Sequence, residues 1–316
     1  MTAPGRSRFL SALPWLALLI FPVVEVGAHA FTRAAVPTEH DWRVAADFVG
    51  ERSSEGDLFV AAPDWADPLV RQYLGDRIDL PMAGRTGVAG YRRLWSLSPR
   101  GARPPEAAGR TPELSEDFGG VRVERFALDA PRVLHDLVEH VADARVTQIV
   151  GGKPRPCEYG MHGPGRRGGL GYGVVPPARR FQCPDRRGFV WVAPVIMEDL
   201  ELQPRRCVYQ HPAGGEPVRV TVPDVPVGKR LEVHAGLYYE HERMLDGAPV
   251  KLVVRFGDEQ VGEMIHRDGE GWRALTIDTA KRAGERVDVS FETTSARSHK
   301  RIFCWSARIL SAGGPQ

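Results

Sequence analysis

Hydrophobic and polar residues alternate along this chain with three different periods. From Phe9 to about Val26 the sequence is nearly all apolar, behind Arg6 and Arg8, and it closes on Ala28-His29-Ala30. That order reads as a secretory signal with a small-residue cleavage site, or as an uncleaved membrane anchor, since about 20 apolar residues span a bilayer. Residues 1–30 are therefore expected to export the chain and to enter the inner membrane through 9–30, with everything after them on the periplasmic side.

Helical and strand periods follow. Trp42, Ala45, Ala46 and Val49 fall at i, i+3, i+4, i+7, and Thr38 with Asp41 forms a capping-box-like start, predicting a helix over 38–51. The run 57–62 reads as a buried strand, and Asp67-Pro68 reads as N-cap plus first-turn proline of a second helix ending at Gly75. Strands are predicted at 91–98 and 120–128, with a Pro/Gly/Glu-rich loop over 101–119 between them. The spacing of Val133, Leu137 and Val141 predicts another helix. This order predicts a small α/β domain over 36–150.

Residues 151–188 carry no period. They are rich in Gly, Pro and Arg, with eight basic residues between Lys153 and Arg187 against Glu158 and Asp185. From 189 to 311, short alternating strands recur between turn signals such as Asp246-Gly247 and Asp268-Gly269, with no helical period. That texture predicts an antiparallel β-sandwich of the jelly-roll kind. The whole is thus an α+β two-domain chain: a leader, a small α/β domain, a loop and a sandwich.

Composition narrows the function. A formal net charge of +2 over 316 residues, with no basic helix, argues against nucleic acid. Four cysteines without a Cys-x-x-Cys pair argue against a four-cysteine zinc site. In an oxidising compartment two disulfides are the default, and Cys157–Cys183 with Cys207–Cys304 is the preferred of three connectivities.

Motifs for chemistry are weak. Gly163-Pro-Gly165-Arg-Arg-Gly168 has the letters of a dinucleotide fingerprint but neither a strand before it nor a helix after it. His241-Glu242-Arg243-Met244-Leu245 places leucine where a zinc-protease helix needs its second histidine. Glu198-Asp199-Leu200-Glu201 is the densest carboxylate cluster after a strand and reads as surface acidity. No nucleophile elbow is present, so no catalytic residue, metal or cofactor is assigned, and the reading leans away from an enzyme.

Four residues stand out as ligand contacts. Asp64 and Trp65 follow the 57–62 strand, where open α/β sheets hold ligands, although they also suit turn capping and packing beneath the loop. Tyr238 and Tyr239 are adjacent in a predicted strand, so they should point to opposite faces and expose one ring.

Two resemblances accompany these readings. The stretch "DWRVAADFVGERSSEGDLFVAAPDWADPLVRQYLGD", with "YRRLWSLSPRGA" after it, resembles the soluble extracytoplasmic domain of bacterial lipid-linked-sugar glycosyltransferases of the dolichyl-phosphate-mannose mannosyltransferase type. It covers about 40–128. That family's catalytic acid lies in a multi-helix membrane portion not found here, so no catalytic residue carries over. The stretch "APVKLVVRFGDEQVGEMIHRDGEGWRALTIDTAKRAGERVDVSFETT" resembles galactose-binding-like jelly-roll modules and covers about 205–311. Together they imply a non-catalytic envelope protein contacting glycan or another envelope component. The alternative is an enzyme or accessory subunit acting on envelope sugars, the soluble part of a split glycosyltransferase with a membrane glycosyltransferase partner.

Overall fold

The computed structural model describes residues 6–34, 36–163, 173–185 and 188–312. Residues 164–168 of the fingerprint-like motif lie outside them. The chain divides into two compact units, one formed by 1–77 with 93–127 and the other by 78–92 with 128–316.

In the first unit, α1 (Arg6–Ala34) continues through the expected cleavage site, and its apolar side chains from Phe21 to Phe31 are exposed. Among the described residues no helix is long and apolar enough to cross a membrane. Helix α2 (Glu39–Arg52) starts in a complete capping box: Asp41 N–H donates to the Thr38 hydroxyl, and Thr38 N–H donates to Asp41 Oδ2 at 2.7 Å. Its Trp42, Ala45, Ala46 and Val49 are all buried, as their spacing predicts.

Strands β1 (Asp57–Ala61), β2 (Arg93–Pro99), β3 (Leu114–Phe118) and β4 (Val121–Ala127) form a sheet in the order β1-β2-β4-β3. Only β1 and β2 are parallel. Strand β3 lies inside the stretch expected to be loop, because Asp117 accepts from Gly120 N–H and turns the chain into a hairpin with β4. Asp57 fastens this sheet. Buried itself, it accepts from Arg93 Nε and Nη2 at 2.8 and 2.7 Å, from Trp95 Nε1 at 2.8 Å and from Ser54 N–H at 3.0 Å. All of its acceptor capacity is used internally, which makes it structural.

Helix α3 (Asp67–Leu74) corrects one assignment. A 3-10 turn, Asp64–Ala66, runs directly into it, so the N-cap is Ala66 without a side-chain hydrogen bond. Asp67 is already helical and pairs with Arg71 one turn on, at 2.6 Å. Gly75, at φ +57°, stops the helix as expected.

The second unit is two antiparallel sheets. Helix α4 (Leu80–Ala83) precedes them, capped by the Asp79 side chain. The larger sheet holds β5 (Val133–Asp136), β8 (Glu158–Met161), β9 (Arg179–Gln182), β10 (Trp191–Glu198), β11 (Pro204–Gln210), β13 (Arg230–Leu237), β16 (Arg273–Asp278) and β18 (Phe303–Leu310). Its order is β16-β13-β18-β11-β10-β9-β8, with β5 also on β18. The smaller holds β6 (Arg145–Val150), β7 (Lys153–Pro156), β12 (Val218–Pro226), β14 (Val250–Phe256), β15 (Glu259–His266) and β17 (Arg286–Ser295), in the order β15-β14-β17-β12-β6-β7.

Strands β5 and β6 fall within residues expected to belong to the α/β domain, yet each is hydrogen-bonded into a sheet of this unit. The predicted 133–141 helix is therefore β5 followed by a turn. Asp136 Oδ1 accepts from Val138 N–H at 2.9 Å and closes that turn, while Leu137 and Val138 reach the core from the turn and Val141 from a 3-10 turn, Val141–Asp143. The two sheets share one core in which the Phe291 and Trp305 rings stack at 3.8 Å. Buried Gln210 ties them together, donating to Val218 O and Phe291 O and accepting from Trp305 Nε1 at 2.6 Å.

Both disulfides join the preferred pairs. Cys207–Cys304 links neighbouring strands β11 and β18, where Tyr209 stands opposite Cys304. Cys157 follows β7 of the smaller sheet and Cys183 follows β9 of the larger, so their bond holds the two sheets at one edge.

Candidate functional site

The central strands of the larger sheet, β10, β11 and β18, are covered on both faces. The sheet's face away from the shared core carries a second cluster formed by Trp191, Ala193, Met197, Tyr209, Tyr238 and the Cys207–Cys304 disulfide. Trp191 and Tyr209 stack at 3.6 Å, and the Tyr209 hydroxyl donates to Phe189 O at 3.1 Å. Trp272 packs against this cluster over Gly236, where a Cβ would come within 2.6 Å of the indole. Glycine is needed there for the close approach, not for its conformation.

Beside this cluster lies a cleft of about 620 Å³. It exists because β9 pairs with β10 only at Trp191 and Val192. Beyond them, Pro194, Val195, Ile196 and Glu198 line the cleft along that strand. Proline at a strand edge removes one donor from pairing. The opposite side is the segment from Gly173 to Pro177, with Leu202 and the two tyrosines completing the wall.

The tyrosines correct a second expectation. Strand β13 ends at Leu237, and the short helix α5 (Tyr239–Glu242) begins at once with Tyr238 as its N-cap residue. The alternation that would send the rings to opposite faces is broken at that point. Instead the rings meet at 4.7 Å, tilted by 60°, and both line the cleft. Tyr238 is buried, 3% exposed, while Tyr239 is half-buried.

The electrostatics follow from this burial. Desolvation pushes the Tyr238 phenol far up, helped by its hydrogen bond with Tyr239 and by the carboxylates of Glu240 and Glu198, so it stays a neutral hydroxyl. The Tyr239 hydroxyl donates to Glu240 Oε1 at 3.2 Å, and the Arg243 guanidinium lies 5.4 Å from the Tyr239 ring centre. Burial lowers His241 to about 4, with Arg301, Lys300 and His299 adding to it, so that imidazole is neutral at pH 7. Glu242 is fully buried and accepts from Gly271 N–H and His266 Nε2. Its duty is to hold α5 in place.

The acidic cluster separates into two roles. Glu198 faces the cleft and has no hydrogen-bond or ion-pair partner among the described residues. Asp199 is buried and organises the following turn, accepting from Glu201 N–H, Gln203 N–H and Arg205 Nε. Sequence reasoning reads Glu198 as surface acidity and does not single out Leu202, Val174, Val175 or Pro177. The adjacency of Glu198 to a turn-forming aspartate was the one signal available.

Asp64 and Trp65 belong to the first unit and the tyrosine pair to the second. Both are exposed on the 3-10 turn after β1, Trp65 at 63%. Trp65 is not packed under the loop, and the Asp64 carboxylate makes no capping hydrogen bond. Among the described residues no group of three or more His, Cys, Asp or Glu side chains is placed to hold a metal.

No protein-family model matches the chain, and no curated protein matches it. Several solved structures do. One is CBM51-2 with INT domains from Clostridium perfringens ZmpB, in complex with GlcNAc: 13% identity over 62% of this chain and 36% of that one, TM-score 0.31. Another is the CBM51 of Clostridium perfringens GH95 in complex with methyl-galactose: 10% identity over 37% and 79%, TM-score 0.26. Tandem CBM51 modules of Sp3GH98 from Streptococcus pneumoniae match at 8% identity over 43% and 45%, TM-score 0.31. The chain spans about a third of the length of the first of these. At such scores the sheets of the chain itself, not the likeness, define its fold.

Proposed function

We propose that this is an exported, non-catalytic cell-envelope protein whose second unit binds glycan in the Tyr238–Tyr239 cleft. The observation that carries the reading is the cleft itself: a concavity of about 620 Å³ with a tyrosine pair on its wall and one unpaired carboxylate, Glu198, facing in. Its size is that of a small-molecule site. The Tyr239 face offers stacking to a sugar ring, and Glu198 offers two acceptor oxygens to its hydroxyls.

Export is supported by the two disulfides, which suit an oxidising compartment, and by the order of charge, apolar run and small residues in 6–30. That segment acts as a leader cleaved near Ala30 or as an anchor, and N-terminal sequencing of the mature protein separates the two. The sandwich is proposed to be a jelly roll, and Asp64 with Trp65 a contact on the first unit for another envelope component. A glycan array probed with the mature, oxidised protein tests the function. Selective retention of some glycans is expected, and uniform absence of binding would contradict the reading.

A further inference from the structure

The cleft is more apolar than a bare sugar requires. Val174, Val175, Val195, Ile196 and Leu202 are aliphatic, and two of them, Val175 and Leu202, are 62% and 52% exposed. Its polar side chains are Glu198 and the two tyrosines. Tyr239's hydroxyl proton is already committed to Glu240.

A plain hexose carries hydroxyls around its whole rim. Each one placed against an aliphatic wall loses its water without gaining a partner, which costs binding energy. Aliphatic side chains make up much of this lining, so part of that rim would meet no partner side chain. The aliphatic wall, and the exposed Val175 and Leu202 above all, is matched by hydrocarbon instead.

We infer that the ligand of this cleft is a sugar carrying a short hydrocarbon substituent, whose ring rests on Tyr239 near Glu198 while the substituent covers Val175 and Leu202. The inference rests on the glycan reading above and names the ligand class within it. A sugar hydroxyl donates to the Glu198 carboxylate, and the substituent is bound by removal of apolar surface from water. Two parts of one ligand are thus read by two kinds of wall.

The test compares methyl and hexyl β-glycosides of glucose, galactose, mannose and N-acetylglucosamine, with 1-hexanol as the sugar-free control, on the full oxidised chain. Titration calorimetry is done below micelle-forming concentrations. The hexyl glycoside of at least one sugar is expected to bind at least about tenfold tighter than its methyl partner, given about 0.8 kcal/mol per buried methylene. Leu202→Ser should remove that gain, whereas Phe21→Ser, on exposed α1, should not.

Equal binding of methyl and hexyl partners would overturn the inference and leave the glycan reading standing. Binding of 1-hexanol as tight as that of every hexyl glycoside, or no binding by any probe, would overturn both. Loss of the hexyl gain in Phe21→Ser but not in Leu202→Ser would place the hydrocarbon on α1 and overturn the inference alone. Circular dichroism of the Leu202→Ser protein, whose altered side chain is half exposed, separates loss of site from loss of fold.

Discussion

Asp57 and Asp67 stand ten residues apart and do opposite amounts of work. Asp57 is buried and accepts from Arg93, Trp95 and Ser54 N–H, so Asp57→Ala leaves the buried Trp95 indole N–H without a partner and unpairs the partly exposed Arg93 guanidinium. A loss of about 1–3 kcal/mol is expected by chemical denaturation, the range for leaving a buried donor unsatisfied. Asp67 sits in the first turn of its helix and pairs with Arg71 where both are partly exposed. Asp67→Ala should therefore cost only about 0.5 kcal/mol, and Thr38→Ala, which removes a true cap, about 1 kcal/mol. The Thr38–Asp41 box was legible because both partners lie within one turn of sequence. Asp67 was misread because a 3-10 turn ahead of it carries helical backbone into the capping position, and no residue type announces that.

At the scale of elements, legibility followed local pattern. Strands such as β12, β14 and β17 alternate cleanly and are flanked by turns, so their existence could be read directly. Strand β15 is less legible because it is an edge strand with polar residues at half of its positions, and only Met264 and His266 are buried. The tyrosine pair depended on where β13 gives way to α5, a boundary set by packing of Glu242 on Gly271 N–H and His266. That long-range contact has no local signature. Two buried histidines, His241 on α5 and His234 on β13, give the second unit a pH dependence. Burial holds His241 and His234 near 4 in the folded state, below the ordinary value of about 6.5 in the unfolded chain. The unfolded state then binds more protons between those values, so stability is full above about pH 6.5 and falls as pH drops toward 4. Melting temperature followed from pH 7 to 4 should show this fall, and His241→Gln should make it shallower.

For the whole molecule, the second unit depends on its cross-links more than on any one side chain. Cys207–Cys304 closes a loop of 97 residues and Cys157–Cys183 one of 26. On the chain-entropy estimate these contribute about 4–5 and 3–4 kcal/mol. Replacing Cys207 and Cys304 together by serine should lower the denaturation midpoint more than replacing Cys157 and Cys183, as followed by urea unfolding. The central claim is that glycan is held in the cleft beside the tyrosines. Titration of the best array ligand into wild type, Tyr239→Ala and Trp65→Ala tests it most directly. The account predicts that Tyr239→Ala weakens binding by at least about fivefold, by analogy with base-stacking platforms worth about 1–3 kcal/mol, with its circular dichroism unchanged and Trp65→Ala close to wild type. Undiminished binding in Tyr239→Ala, with the loss falling on Trp65→Ala, would contradict it.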